Sequence, residues 1–249
     1  MRVWVGVMLF ALSTAFIQAQ MPAATDSVAA NGGNIQVTAL GHASVQLEQG
    51  GKVIVVDPVA MMADLSKVKP ADLVLVTDIH GDHLDPASLA KVRKPGVPIV
   101  IPAAAKDKVP DWTVIANGET KTVAGVSIQT VPMYNIQRGP QPGQLFHDKG
   151  RGNGYVLTLG GKRVYLAGDT ECVPEIKALK NIDVAFMPMN LPYTMPPSEA
   201  AECVKAFQPK IVYPYHFMGQ KPEEFAAALK GTSIEVRMLN WYPKAPAAR

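Results

Sequence analysis

The segment Thr77-Asp78-Ile79-His80-Gly81-Asp82-His83 places four metal-type donors within six positions, directly after the apolar run Leu73-Val74-Leu75-Val76. Carboxylates and neutral imidazoles are the donors that divalent first-row metals take. Such a density of titratable groups beside a buried strand points to chemistry rather than to a solvated turn. Asp78 and His80 are two residues apart and project the same way from an extended backbone. Gly81 permits a sharp turn that sends Asp82 and His83 to a second position, so the segment can serve two adjacent metals. Two further features sit in the same kind of place. Gly168-Asp169-Thr170 follows an apolar strand, and so does Tyr213-Pro214-Tyr215-His216-Phe217. A Gly-Asp-Thr alone is an ordinary turn, and a lone histidine among aromatics is ordinarily a packed residue. Their shared location at strand carboxyl ends, where α/β folds gather ligands, sets Asp169 and His216 apart.

Positioning these groups requires a strand-rich scaffold. Short β-branched runs separated by turn residues predict strands at Ile35–Leu40, Val45–Leu47 and Val53–Val56, then Leu73–Thr77 and Ile99–Ile101. More follow at 114–115, 121–123, 126–131, 155–159, 163–166, 184–186, 211–213 and 234–238. Helices are predicted over Pro86–Val92, with Asp85 as N-cap and Pro86 at its first position, and over 173–179, 198–207 and 222–229. Continuous apolar strands imply burial on both faces. Each half of the chain carries strands and helices, which gives an α/β fold: a four-layer αββα sandwich of two mixed β-sheets with outer helices. Residues 133–152 form a long Gly-, Pro- and Gln-rich loop, a length that in a compact domain is usually functional or disordered.

Together these features resemble the metallo-β-lactamase superfamily. That family carries a His-x-His-x-Asp-His loop after a strand, a later histidine, a Gly-Asp and a final histidine near the C-terminus. Here the order is kept by 78–83, Asp169 and His216. Gly41-His42-Ala43-Ser44, Asp57-Pro58 and Phe146-His147-Asp148-Lys149-Gly150 resemble the branch that includes ascorbate-phosphate lactonase. The resemblance implies one metal site of Asp78, His80 and His147 and a second of Asp82, His83 and His216, with Asp169 between them. Asn135 rivals His147 for the intermediate position, and Asp78 replaces the family's first histidine. The implied cofactors are two divalent metal ions, zinc first, with manganese or iron as the alternatives. Two such ions and a bridging hydroxide would balance three aspartates. The implied activity is metal-dependent hydrolysis, in which that hydroxide attacks a small-molecule lactone, ester or phosphoester, with Asp82 as a catalytic residue. Tyr193, Tyr215 and Lys149 are the candidates for a general acid. Arg138 and Arg151 either hold an anionic substrate or are exposed loop charges. His42 is expected beside the site rather than on a metal. The competing readings are a non-catalytic periplasmic metal- or ligand-binding protein on a decayed scaffold, and a di-iron redox protein.

Residues 1–19 have the make-up of a secretory signal: Arg2, then an apolar run to Phe16, then small or aliphatic residues to Ala19. That run is too short for a comfortable membrane span. Residues 20–34 read as a flexible tether, and 35–249 as the hydrolase domain. A periplasmic or secreted location follows, with no stable span after signal removal; the sequence leaves the oligomeric state open. The formal charge of +3 is scattered and disfavours nucleic acid as a partner. Export would permit Cys172 and Cys203 to pair, but their place near helices reads more simply as two buried, unpaired thiols. N-terminal sequencing of the protein from its native compartment is expected to find a chain starting just after Ala19. Recovery of an intact Met1 end would overturn the signal reading.

Overall fold

The computed structural model describes residues 24–242, and the signal-like segment lies outside them. Two seven-stranded sheets form the centre. The first runs in sequence order: β1 (Thr25–Val28), β2 (Ile35–Gly41), β3 (Ser44–Gln49), β4 (Lys52–Val56), β5 (Leu73–Leu75), β6 (Ile99–Ile101) and β7 (Trp112–Val114). Its first four strands pair antiparallel and the rest parallel. The second sheet repeats that plan with β8 (Thr120–Val123), β9 (Val126–Met133), β10 (Gly152–Leu159), β11 (Lys162–Leu166), β12 (Val184–Pro188), β13 (Ile211–Tyr215) and β14 (Glu235–Val236). There β8 to β11 are antiparallel and β11 to β14 parallel.

Side-chain alternation explains the layers. In β4, Ile54 and Val56 enter the core between the sheets, while Val53 and Val55 face outward. In β5, Leu73 and Leu75 point in and Val74 points out. The outward residues are covered by Leu89 and Val92 of helix α1 (Pro86–Val92), so an uninterrupted apolar run satisfies two cores at once. On the other side, Ala185, Met187 and Val212 meet helices α2 (Pro174–Lys177), α3 (Pro197–Phe207) and α4 (Pro222–Ala228), through Ile176, Val204, Phe207 and Phe225. The αββα sandwich expected from the sequence is the architecture found. Asp85 caps α1 through the backbone N–H groups of Ala87 and Ser88, with Pro86 in the first turn, as its sequence predicts. Among the described residues no helix is long and apolar enough to cross a membrane.

Two expectations need correction. The supposed tether contains β1, which pairs with β2 from Thr25↔Thr38 to Val28↔Ile35. Asp26 also accepts hydrogen bonds from the Tyr213 hydroxyl (2.6 Å) and the Arg237 guanidinium (3.0 Å), tying this edge to the second sheet. Only Val28 of that strand is buried, so no apolar alternation announces it. Cys172 and Cys203 are not free thiols. They form a disulfide with Cα atoms 5.5 Å apart, joining the segment before α2 to α3 across 31 residues. Cross-linking a loop of that size restricts the unfolded chain. A Cys172→Ala/Cys203→Ala variant is therefore expected to lose about 2–4 kcal/mol in urea unfolding, and a loss below ~0.5 kcal/mol would contradict a stabilising role.

Candidate metal centre

The carboxyl ends of strands from both sheets meet along one edge. Backbone bonds stitch the seam: Asn153 N–H to Thr77 C=O (2.9 Å) and His216 N–H to His42 C=O (3.2 Å). The Tyr155 hydroxyl reaches across to Val76 C=O (2.6 Å). Gly168 has a left-handed backbone (φ +67°), and a Cβ there would lie 2.5 Å from Met133 Sδ and 3.0 Å from Thr77 Cβ, so glycine is required where the Asp169 turn presses on the 77–83 segment. His42, Asp57 and His216 also take positive φ angles of 50°, 45° and 48°. Such conformations are costly for residues with a Cβ and concentrate where side chains must be aimed.

Gly81 does not play its expected part. Its φ is not in the left-handed region, and the turn is closed by the N–H groups of His83 and Leu84 on His80 C=O, at 3.0 and 2.9 Å. A Cβ at Gly81 would meet open space, and the residue lines the cavity above the site instead.

Asp82, His83, Asp169 and His216 converge with donor atoms within 4.8 Å of one another. His83 Nε2 lies 3.4 Å from Asp169 Oδ2, and His216 Nε2 lies 3.2 Å from Asp169 Oδ1 and 3.4 Å from Asp82 Oδ2. His147 Nε2 approaches Asp169 Oδ2 to 3.5 Å. Asp78, His80 and His147 form a second cluster at the same spacing.

Neighbouring residues determine which nitrogen each imidazole presents. Asp57 Oδ2 accepts from His83 Nδ1 (2.8 Å) and from the Thr77 hydroxyl (2.5 Å), while its Oδ1 accepts from Thr77 N–H (2.7 Å). His83 Nδ1 therefore keeps a proton, and Nε2 is the nitrogen turned toward the site. Asn135 Oδ1 accepts both from His147 Nδ1 (2.7 Å) and from His147 N–H (2.9 Å). The Asn135 amide is fixed by Glu171 Oε1 (3.1 Å) and Tyr193 C=O (2.8 Å). His147 thus points into the site and Asn135 orients it; the two are partners rather than rivals. His42 donates from Nε2 to Asp82 (3.2 Å), with Tyr242 O–H on Nδ1 (2.9 Å). The roles of Asp57, Asn135 and Tyr242 escaped sequence reasoning. For Asp57 the signal was present, since it too follows an apolar strand.

Electrostatics fit a cation at the first cluster. Burial opposes ionisation of Asp169, yet the His216 and His83 imidazoles hold its carboxyl well below the usual range. Burial likewise opposes charge on Asp82, and the nearby His216 ring and the hydrogen bond from His42 hold its carboxyl down. Burial pushes His147 down to about 4, so its ring is neutral at physiological pH. The buried atoms His83 Nε2, His147 Nε2, His216 Nε2 and Asp169 Oδ1 have no hydrogen-bond partner. Orphaned polar atoms of this kind are costly unless something binds them, and their gathering around the Asp169 carboxylate suits a divalent ion.

The second cluster already has a cation beside it. Arg151 donates from Nε to Asp78 Oδ1 (3.0 Å) and from Nη2 to Asp78 Oδ2 (2.6 Å). Burial opposes ionisation of Asp78, but bonds from His80 and Arg151 hold its carboxyl far below the ordinary value. Arg138 is engaged as well, with Glu199 at 2.6 Å and Glu171 at 3.5 Å. Neither guanidinium is a free loop charge. Lys149 pairs with Glu175 (2.6 Å), and the Tyr215 hydroxyl accepts from Gly168 N–H (2.8 Å), which leaves Tyr193 as the general-acid candidate at the cavity.

Asp57→Asn keeps the side-chain shape but weakens the grip on His83. The expected result is a zinc Kd raised about 10–100-fold with the fold intact by circular dichroism; an unchanged Kd would deny Asp57 its orienting role.

The profile of the beta-lactamase superfamily domain matches residues 36–216. The UPF0173 metal-dependent hydrolase of Thermococcus kodakarensis is 34% identical over 223 residues, covering 82% of this chain and 96% of that protein. The crystal structure of a protein assigned as a metal-dependent hydrolase, from Parabacteroides distasonis, is 41% identical with a TM-score of 0.81, covering 86% of this chain and 97% of that one. Igni18, a metallo hydrolase of Ignicoccus hospitalis, is 25% identical with a TM-score of 0.67 over 82% of this chain and 94% of its own. The chain thus belongs to the metallo-β-lactamase superfamily and is one of its metal-dependent hydrolases.

Proposed function

We propose that the chain hydrolyses an uncharged lactone or ester of small-molecule size, using metal held by Asp82, His83, Asp169 and His216 with His147 beside them. The convergence of the unpartnered imidazole nitrogens on buried Asp169 carries this reading. A divalent ion, zinc by preference, would supply Lewis acidity and an activated water there.

The residues around it do the rest. Asp57 and Asn135 keep His83 and His147 in the tautomers that offer Nε2. Asp82 is 26% exposed and faces the cavity, and its ionised carboxylate can accept a hydrogen bond from the attacking water and orient it. His42 steadies that carboxylate. Tyr193 lines the same cavity and can deliver a proton to the leaving alkoxide.

The cavity supports the substrate class. Its volume is 490 Å³, and Met62, Phe146, Tyr193 and Met218 give it apolar walls. No lysine or arginine is among its lining residues. Phosphoester recognition calls for cationic donors, and Arg138 and Arg151 are both committed to carboxylates. The ester and lactone branches of the expected activity are therefore preferred over the phosphoester branch. A working place in the periplasm or outside the cell is proposed with it, and the Cys172–Cys203 bridge supports that, since such bridges persist in oxidising compartments.

The test is a hydrolysis screen on protein purified with its disulfide intact. Chelation is expected to abolish turnover of an apolar lactone or aryl ester, and zinc to restore it. His83→Ala is expected to lower kcat/KM by about 10²–10³-fold, the scale of removing one preorganised group from a hydrolytic site. Preferential turnover of an aryl phosphodiester would overturn the substrate class, and full activity in chelator would overturn the mechanism.

A further inference from the structure

We infer that Arg151 occupies the role of the second metal, so that the centre binds a single divalent ion. The inference rests on the metal-centre reading above. A metal in the cluster of Asp78, His80 and His147 would need Asp78 Oδ2 and a ring nitrogen of His80. Arg151 Nη2 already takes both: it lies 2.6 Å from Asp78 Oδ2, 2.9 Å from His80 Nε2 and 3.1 Å from His80 Nδ1. Arg151 Nε closes a bidentate pair on Asp78 Oδ1 (3.0 Å), and its other terminal nitrogen is anchored on Phe146 C=O (2.8 Å). The guanidinium is thus held on three sides at a partly buried position, with a side-chain exposure of 18%. Such a planar fork on a carboxylate is the strong, geometrically specific form of the interaction.

A divalent ion bound to those atoms would sit against a fixed positive charge beside the buried Asp78 carboxylate. The two compete for the same oxygen, and proximity of like charges disfavours joint occupancy. His147 is spared this competition. Its Nε2 has no hydrogen-bond partner and faces Asp169, so it is available to the remaining metal.

The charge count agrees. Asp78, Asp82 and Asp169 bring three negative charges to the cleft. One divalent ion and one guanidinium would bring three positive charges, which balance them when the ion carries a neutral water rather than a hydroxide. The aspartate at position 78, which departs from the family's loop, thereby acquires its reason: it holds the arginine. His80, 41% exposed at its side chain, packs along the guanidinium edge as the second wall of that berth.

The experiment is elemental analysis of the full chain after apo preparation, saturation with zinc and removal of loosely held ion. The wild-type protein is expected to retain one zinc per chain. Arg151→Ala and Arg151→Gln, each checked by circular dichroism, are expected to retain two. Two zinc ions in the wild-type chain would overturn the proposal, and so would one zinc in both folded variants. Should neither variant fold, the wild-type count decides alone. Retention of no zinc by the wild-type chain would instead sink the metal-centre reading itself, so the two failures are told apart without any activity measurement.

Discussion

Buried carboxylates must be compensated, and the whole cleft is organised by that requirement. Asp57, Asp78 and Asp169 are each at most 2% exposed. An isolated ionised carboxylate in such surroundings would be prohibitively costly. Each therefore has its own solution. Asp57 is satisfied by Thr77 and by the proton on His83. Asp78 has Arg151. Asp169 faces the Nε2 ring nitrogens of His83, His147 and His216, which among the described residues have no hydrogen-bond partner. The compensation missing around Asp169 is what a metal supplies, and removing any neighbour would leave charge stranded rather than merely delete a contact.

Much of this was legible in the chain because strand ends are local signals. Asp82, His83, Asp169 and His216 each follow an apolar run, and the fold brings all four together. The continuous apolar run of β5 could be read as a doubly buried strand for the same reason. His147 could be placed only through likeness to a family, since nothing in Phe146-His147-Asp148 distinguishes a ligand from a loop residue. Pairings over long separations were not legible at all. Arg151 meets Asp78 across 73 residues, and His42 meets Tyr242 across 200, so their partners depend on how the two sheets stack rather than on any nearby residue. Gly81 shows the opposite error: a glycine in the right place suggested a turn, whereas the turn here uses ordinary backbone angles. The strand β1 was missed because three of its four residues are polar or only partly buried.

The long connection from β9 to β10 shows how an irregular segment can be precise. It brings Asn135, His147 and Arg151 to the site without helix or strand of its own. Glu171 anchors it by accepting from the Arg138 N–H (2.8 Å) and from the Asn135 amide (3.1 Å). Glu171 is followed directly by Cys172, whose disulfide fastens that stretch to α3. Order in the loop is therefore borrowed from a covalent strap and a buried carboxylate rather than from backbone ladders.

The matching plan of the two sheets, four antiparallel strands followed by three parallel ones, has one more consequence. Asp82 and His83 belong to the first half of the molecule, and His147, Asp169 and His216 to the second. Neither half owns a complete coordination shell. An ion at the seam would act as a rivet between them, added to the shared core and the backbone bonds that already join the sheets. Metal binding would then raise the stability of the whole sandwich rather than of one half.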